Sequence, residues 1–204
     1  MKFEDTNLPK HPTIEKAFEE LARLDTDDQF TTRGVKIATI IARDSKSQDP
    51  DAIAAGLLVP LASDSGARLL AQANLPPRIT EIIQSVFEVG TMTMRGEKTE
   101  PYYLKLDAGT RSIVLASSTR MFEVMAKEML ESLELSRKAG TAEADAEYLR
   151  DTMQPLKKFS AMICKAETEE TGLAQKCEAA VERIEVILSL GPPPASRNSS
   201  GPKL

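Results

Sequence analysis

Asp49-Pro50-Asp51-Ala52-Ile53-Ala54-Ala55-Gly56-Leu57-Leu58-Val59-Pro60-Leu61-Ala62-Ser63-Asp64 decides how the rest of the chain is read. Asp49 or Asp51 can cap a helix, with Pro50 in its first turn. From Ala52 to Leu61 almost every position is apolar or small. A helix that is apolar all round belongs inside a core. Gly56 is a poor helix former, so its place here marks a close approach of a second helix. Pro60 lacks a backbone N–H, so the helix must end or kink near Val59.

Working outward, amphipathic segments surround this buried one. Thr13–Leu24 carries Ile14, Ala17, Phe18, Leu21 and Leu24 at helical spacing. Thr32–Arg43 carries Val35, Ile37, Ala38, Ile40 and Ile41. Gly66–Ala73 reads as a short helix, broken by Asn74-Leu75-Pro76-Pro77. A stripe of Ile79, Ile82, Ile83, Val86 and Phe87 follows. Gly90–Tyr103 is the least helical part, with alternating Thr91-Met92-Thr93-Met94 and the punctuation of Gly96 and Pro101; it is expected to be a loop or small hairpin bordering a cavity. Asp107 or Thr110 can cap the longest segment, Arg111–Leu135. There Val114, Met121, Met125, Met129 and Leu133 form one face, with Leu115, Phe122 and Leu130 beside them, an adaptable Met-rich core stripe.

The stretch 49–64 resembles the central helix of HD-superfamily phosphohydrolases. It is most similar to the domain of stringent-response proteins that removes pyrophosphate from (p)ppGpp. In that family an apolar helix ends in His-Asp, followed by Glu-Asp. Here Val59 and Pro60 stand for His-Asp, Ser63 stands for the Glu, and Asp64 keeps the second acid. The family's His-Pro at the start of the preceding helix corresponds to Arg33-Gly34, and its Leu-Ala-Asp corresponds to Leu115-Ala116-Ser117. The resemblance spans residues 13–135 and implies an all-α, HD-like helical bundle with a C-terminal helical extension. It also implies a lost metal centre. Imidazole and carboxylate groups hold the metal that makes a nucleophilic water. Arg33, Val59, Pro60 and Ser117 cannot replace them, and the chain's one histidine, His11, reads as a plain surface residue at the start of a helix. The residues left around the former site (Arg33, Ser63, Asp64, Ser118 and Arg120) are polar enough to hold a small ligand without turning it over.

Composition narrows the remaining choices. The net charge of −5 argues against general nucleic-acid or anionic-membrane binding. No apolar run is long enough to span a bilayer. Met1–Lys10 reads as extended and mobile rather than as a signal peptide. Cys164 and Cys177 show no metal spacing and point to a reducing cytosol, a disulfide between them being the lesser reading. No phosphate-cradling glycine loop occurs, and no Ser/His/Asp set can form away from His11. The acidic pairs Asp27-Asp28 and Glu169-Glu170 read as solvated.

The chain therefore divides into a flexible N-terminus (1–12), a degenerate HD-like domain (13–135), a C-terminal helical hairpin packed on it (136–190) and a disordered, Pro/Ser/Gly-rich tail (191–204). The hairpin comprises Ala142–Lys165, interrupted near Pro155, with Tyr148, Leu149, Leu156, Phe159, Met162 and Ile163 apolar. Its second arm is Leu173–Leu190, with Cys177, Val181, Ile184, Ile187 and Leu188 on one face. The expected protein is a cytoplasmic pseudoenzyme without cofactor or metal, a regulatory module that binds another protein or pairs with a second copy. The alternative is a nucleotide or (p)ppGpp-like sensor in which Arg33 and Arg120 hold phosphates. A phosphohydrolase with relocated residues is the third reading.

Overall fold

A computed structural model describes residues 1–25, 28–45, 48–62, 67–139, 142–167 and 171–189, with no strand among them. The chain is all-α. In order come α1 (Pro12–Leu24), α2 (Gln29–Asp44), α3 (Pro50–Leu58), a 3-10 turn (Val59–Ala62), α4 (Ala67–Leu70), α5 (Pro77–Met94), α6 (Glu100–Tyr103), α7 (Ala108–Ala139), α8 (Ala142–Ala166) and α9 (Thr171–Ser189). No helix among the described residues is long and apolar enough to cross a membrane. Ser63, Asp64, Asp27, Glu169, Glu170 and the tail 191–204 lie outside the described residues, as do the side chains of Leu133, Tyr148 and Leu149.

The buried helix is α3. Every residue from Ala52 to Leu58 is buried, and α1, α2, α5 and α7 all pack on it. Asp49, rather than Asp51, is the cap: its Oδ1 accepts from the Asp51 N–H at 3.0 Å. Its other oxygen accepts from Arg78 at 3.2 Å, which ties the start of α3 to α5. Asp49→Ala removes both bonds, and the expected loss is about 1 kcal/mol of stability, read as a lower urea midpoint. At the other end the α-helix stops at Leu58 and tightens into 3-10 geometry over Val59–Ala62, as the missing N–H of Pro60 requires.

Gly34 and Gly56 let α2 and α3 touch backbone to backbone. A Cβ on Gly34 would lie 2.0 Å from the Leu57 carbonyl oxygen, and one on Gly56 would lie 2.6 Å from Ile41 Cδ1. The first contact is with rigid backbone and the second with a side-chain tip. Gly34 is therefore the less replaceable of the two.

Several expectations need correction. The N-terminus is docked, not loose: Leu8 is buried, and Phe3 meets Phe18 edge-on with ring centroids 5.5 Å apart. His11 is not a plain surface residue, because its Nδ1 accepts from the Thr13 N–H at 3.3 Å and caps α1. The segment after Gly90 is neither loop nor hairpin up to Met94. Val89 and Thr93 continue the buried stripe of α5, and the Thr91 and Thr93 hydroxyls donate to the Phe87 and Val89 carbonyls at 3.0 and 2.8 Å. The helix then stops at a Schellman turn. Gly96 takes φ +69°, its N–H reaches the Thr93 carbonyl, and the Glu97 N–H reaches the Met92 carbonyl. Pro155 does not interrupt α8, which runs through it. The buried side chains of Leu156, Phe159 and Ile163 hold that region in helix although one hydrogen bond is lost. On α7, Leu130 faces out instead of joining the core. The capping choice there falls to Asp107, whose oxygens accept from the Thr110 N–H and hydroxyl at 3.0 and 2.8 Å.

The final helix, α9, lies along α7 and runs antiparallel to α8, with α7 also packed on α8. The pairs Lys157–Glu185, Ser160–Cys177 and Cys164–Ala174 set that antiparallel register. Lys176 reaches across to Asp44 at the end of α2. A second tie is internal. Glu167, which follows α8 and has a side chain 2% exposed, lies 2.8 Å from Arg111 Nε and accepts from the Tyr103 hydroxyl at 3.0 Å. Burial first, then the Glu167 charge, pushes the Tyr103 phenol well above its ordinary range, so it stays a donor.

Candidate functional site: an apolar trough between α5, α7 and α8

Below the 3-10 turn, three helices separate and leave a cavity of about 870 Å³. Val59 and Ala62 line it from the turn. Val86, Phe87, Gly90 and Met94 line it from α5, Val114, Ser117, Ser118 and Met121 from α7, and Leu156 and Phe159 from α8. The helical periods explain the geometry. One face of α5 (Ile79, Ile82, Ile83, Val86) is spent on the core. A second face, Phe87, Gly90, Thr91 and Met94 at spacing i, i+3, i+4 and i+7, turns toward the opening. Phe87 and Met94 remain 47% and 70% exposed there. Large apolar side chains clustered at the lip of an apolar hollow mark an interaction site more than a random surface does.

A second hollow of about 660 Å³ shares Thr93 and Phe159 with the first. Glu97, Lys98, Gln154, Lys158 and Met162 line it. The two hollows adjoin along α8 at these shared residues, the first apolar at its Val59 end and the second lined by charges of both signs.

The sequence-derived site residues separate. Val59 and Ser117, from distant parts of the chain, face one cavity, and Ser118 joins them. Pro60 is half-buried in the turn and is not part of the wall. Arg33 is exposed on α2 and lies outside the cavity. Arg120 also lies outside it, with its Nη1 paired to Glu123 at 3.0 Å. The described wall of the larger hollow carries one ionisable side chain, Arg95, and no carboxylate, imidazole or thiol. The Ser117 hydroxyl oxygen is turned away from the solvent-filled space and has no hydrogen-bond partner among the described residues, so Ser117 meets the cavity through its other atoms. Arg95 carries no signal in the sequence, and Phe87 and Met94, which read there as part of a core stripe and of a loop, stand exposed at this site instead. The second apolar stripe of α5 was the available signal, hidden because Gly90 and Thr91 look like breakers.

Gly90 is the handle on this site. A Cβ added there meets nothing within 4 Å. Gly90→Ala is expected to raise stability by about 0.5–1 kcal/mol, because the helix gains propensity with no clash. A thermal melt reads this directly.

No family model, curated protein or solved structure matches this chain.

Proposed function

We propose that this protein is a non-catalytic binding module on an HD-like helical frame, and that it regulates or scaffolds a partner protein through the trough. One observation carries the proposal: Val59 and Ser117, two of the four residues standing where the resemblance puts metal ligands, line an open, mostly apolar hollow. Neither side chain can hold a hard cation strongly, and neither can activate water. The hollow is within the size of small-ligand pockets, about 300–1,000 Å³. Its exposed Phe87 and Met94, and the mixed charges of the adjoining hollow, suit an amphipathic helix better than a compact ligand. Such a partner would lay its apolar stripe over Gly90 and set its charged residues against Glu97, Lys98 and Lys158.

A nucleotide sensor needs a cationic cradle for phosphates. Arg33 and Arg120 lie outside the hollow, Arg95 is the one cation of its wall, and Lys98 and Lys158 of the adjoining hollow stand among the carboxylates Glu97 and Glu100, so the lining offers no purely cationic cradle. The test is a pair of assays on the full chain. Phosphate or pyrophosphate release from (p)ppGpp and simple phosphoesters is measured with and without manganese, and guanine and adenine nucleotides are screened by thermal shift. No turnover and no shift is the expected result. Manganese-dependent turnover would overturn the loss of catalysis. A manganese-free shift that disappears in Arg33→Ala would move the function to nucleotide sensing.

A further inference from the structure

We infer that Cys164 and Cys177 are a paired thiol site that hydroperoxides convert to an intrachain disulfide between α8 and α9. The inference stands apart from the trough and does not depend on it. The two residues lie on the seam of the antiparallel helix pair, and one side chain, Ser160, touches both sulfurs. Ser160, one turn before Cys164, places its hydroxyl 3.4 Å from the Cys177 sulfur and 4.0 Å from the Cys164 sulfur. The Cys164 thiol donates to the Ala174 carbonyl at 3.3 Å, so it is held beside α9 rather than swinging free. Cys177 is fully buried and Cys164 is partly open. A small oxidant can reach the pair past Cys164, while a bulky one cannot reach Cys177.

The surroundings also divide the roles. The one Cys164 hydrogen is committed to the Ala174 carbonyl, which keeps that thiol neutral, while the Ser160 hydroxyl stands nearer the Cys177 sulfur and can donate to a thiolate there; the Cys177 thiol is lowered accordingly. Cys164 moves the opposite way, because a neighbouring thiolate and burial both resist a second charge. Cys177 is therefore the nucleophile and Cys164 the resolving thiol.

The Cys177 thiolate attacks a peroxide oxygen. An S–O bond forms, the O–O bond breaks, and the leaving hydroxide takes a proton to become water. The Cys164 sulfur then attacks the sulfenic sulfur. An S–S bond forms, the S–O bond breaks, and the second water leaves with the Cys164 proton. Two thiols are oxidised, and one hydrogen peroxide is reduced to two waters. The product bolts α8, whose Leu156 and Phe159 wall the trough, to α9.

The test treats the reduced full-length protein with hydrogen peroxide at neutral pH, then unfolds it and labels it with maleimide. The expected result is loss of both maleimide sites and a mass lower by two hydrogens. The chain stays monomeric on a non-reducing gel, and dithiothreitol reverses the change. In Cys164→Ser the expected product is a Cys177 sulfenic acid that dimedone traps once the protein is unfolded, with no loss of hydrogens. Retention of both maleimide sites after excess peroxide would overturn the inference. So would oxygen addition without cross-linking in the wild type, or a disulfide formed between chains. The wild-type result stands alone if the serine variant folds poorly.

Discussion

Gly34→Ala is expected to lower the free energy of unfolding by about 3 kcal/mol, at the upper end for volume forced into a packed interior. The added Cβ would sit 2.0 Å from the Leu57 carbonyl oxygen. No rotamer can relieve that contact, because both atoms belong to backbone or are fixed to it. Helices α2 and α3 must separate, and every apolar contact along their seam loosens with them. The same substitution at Gly90 carries the opposite sign, because nothing lies within 4 Å of the new atom. Urea denaturation of the two variants beside the wild type therefore compares identical chemistry in two environments. A cost at Gly34 below about 1 kcal/mol would mean that the helices are not in backbone contact.

The second large effect is expected at the buried ion pair. Arg111→Met leaves the Glu167 carboxylate in the interior with the Tyr103 hydroxyl as its one remaining partner among the described residues, and the expected cost is about 3–5 kcal/mol. Most of that cost is stranded charge, not a lost favourable energy. The triple variant Arg111→Met, Glu167→Leu, Tyr103→Phe should accordingly recover the greater part, since apolar replacement of a whole buried network is often near neutral. The check is three urea curves: wild type, single and triple. Equal stability of single and triple variants would show that the cluster contributes attraction and not merely satisfied burial. The cluster joins α6, α7 and the end of α8, so its loss should also loosen the C-terminal helices against the rest.

Much of this architecture is written in the residues, and the part that is not has specific causes. The buried character of α3 follows from its uninterrupted apolar run, its start from Asp49-Pro50, and its end from Pro60. Gly56 was readable as a close-approach point; Gly34 was not, because its neighbour Leu57 is distant in sequence. The far end of α5 reads as a loop because Gly90 and two threonines depress helix propensity. Their hydroxyls bond back to carbonyls four residues earlier, and buried Val89 and Thr93 outweigh the propensity term. Pro155 misled in the same way. The site was legible in part. Val59 and Ser117 were identified from two distant segments, and they do share one cavity. The helices carry Arg33 and Arg120 outside it, and no periodicity argument fixes which side of a cavity a flanking arginine takes. Glu167 and Tyr103 meet across the fold with no local pattern to announce them.

The central claim is that the hollow at Val59 and Ser117 is an apolar binding surface. The most direct measurement is a fluorescence titration of the full chain with Nile red, an uncharged apolar dye, comparing wild type with Gly90→Glu. The variant places a carboxylate over the trough at a position where the added side chain clashes with nothing at its Cβ. Saturable binding to the wild type is expected, with affinity for the variant weaker by roughly tenfold, about 1.4 kcal/mol, and no drop in melting temperature. Equal binding to both proteins, or no saturable binding to the folded wild type, would contradict it.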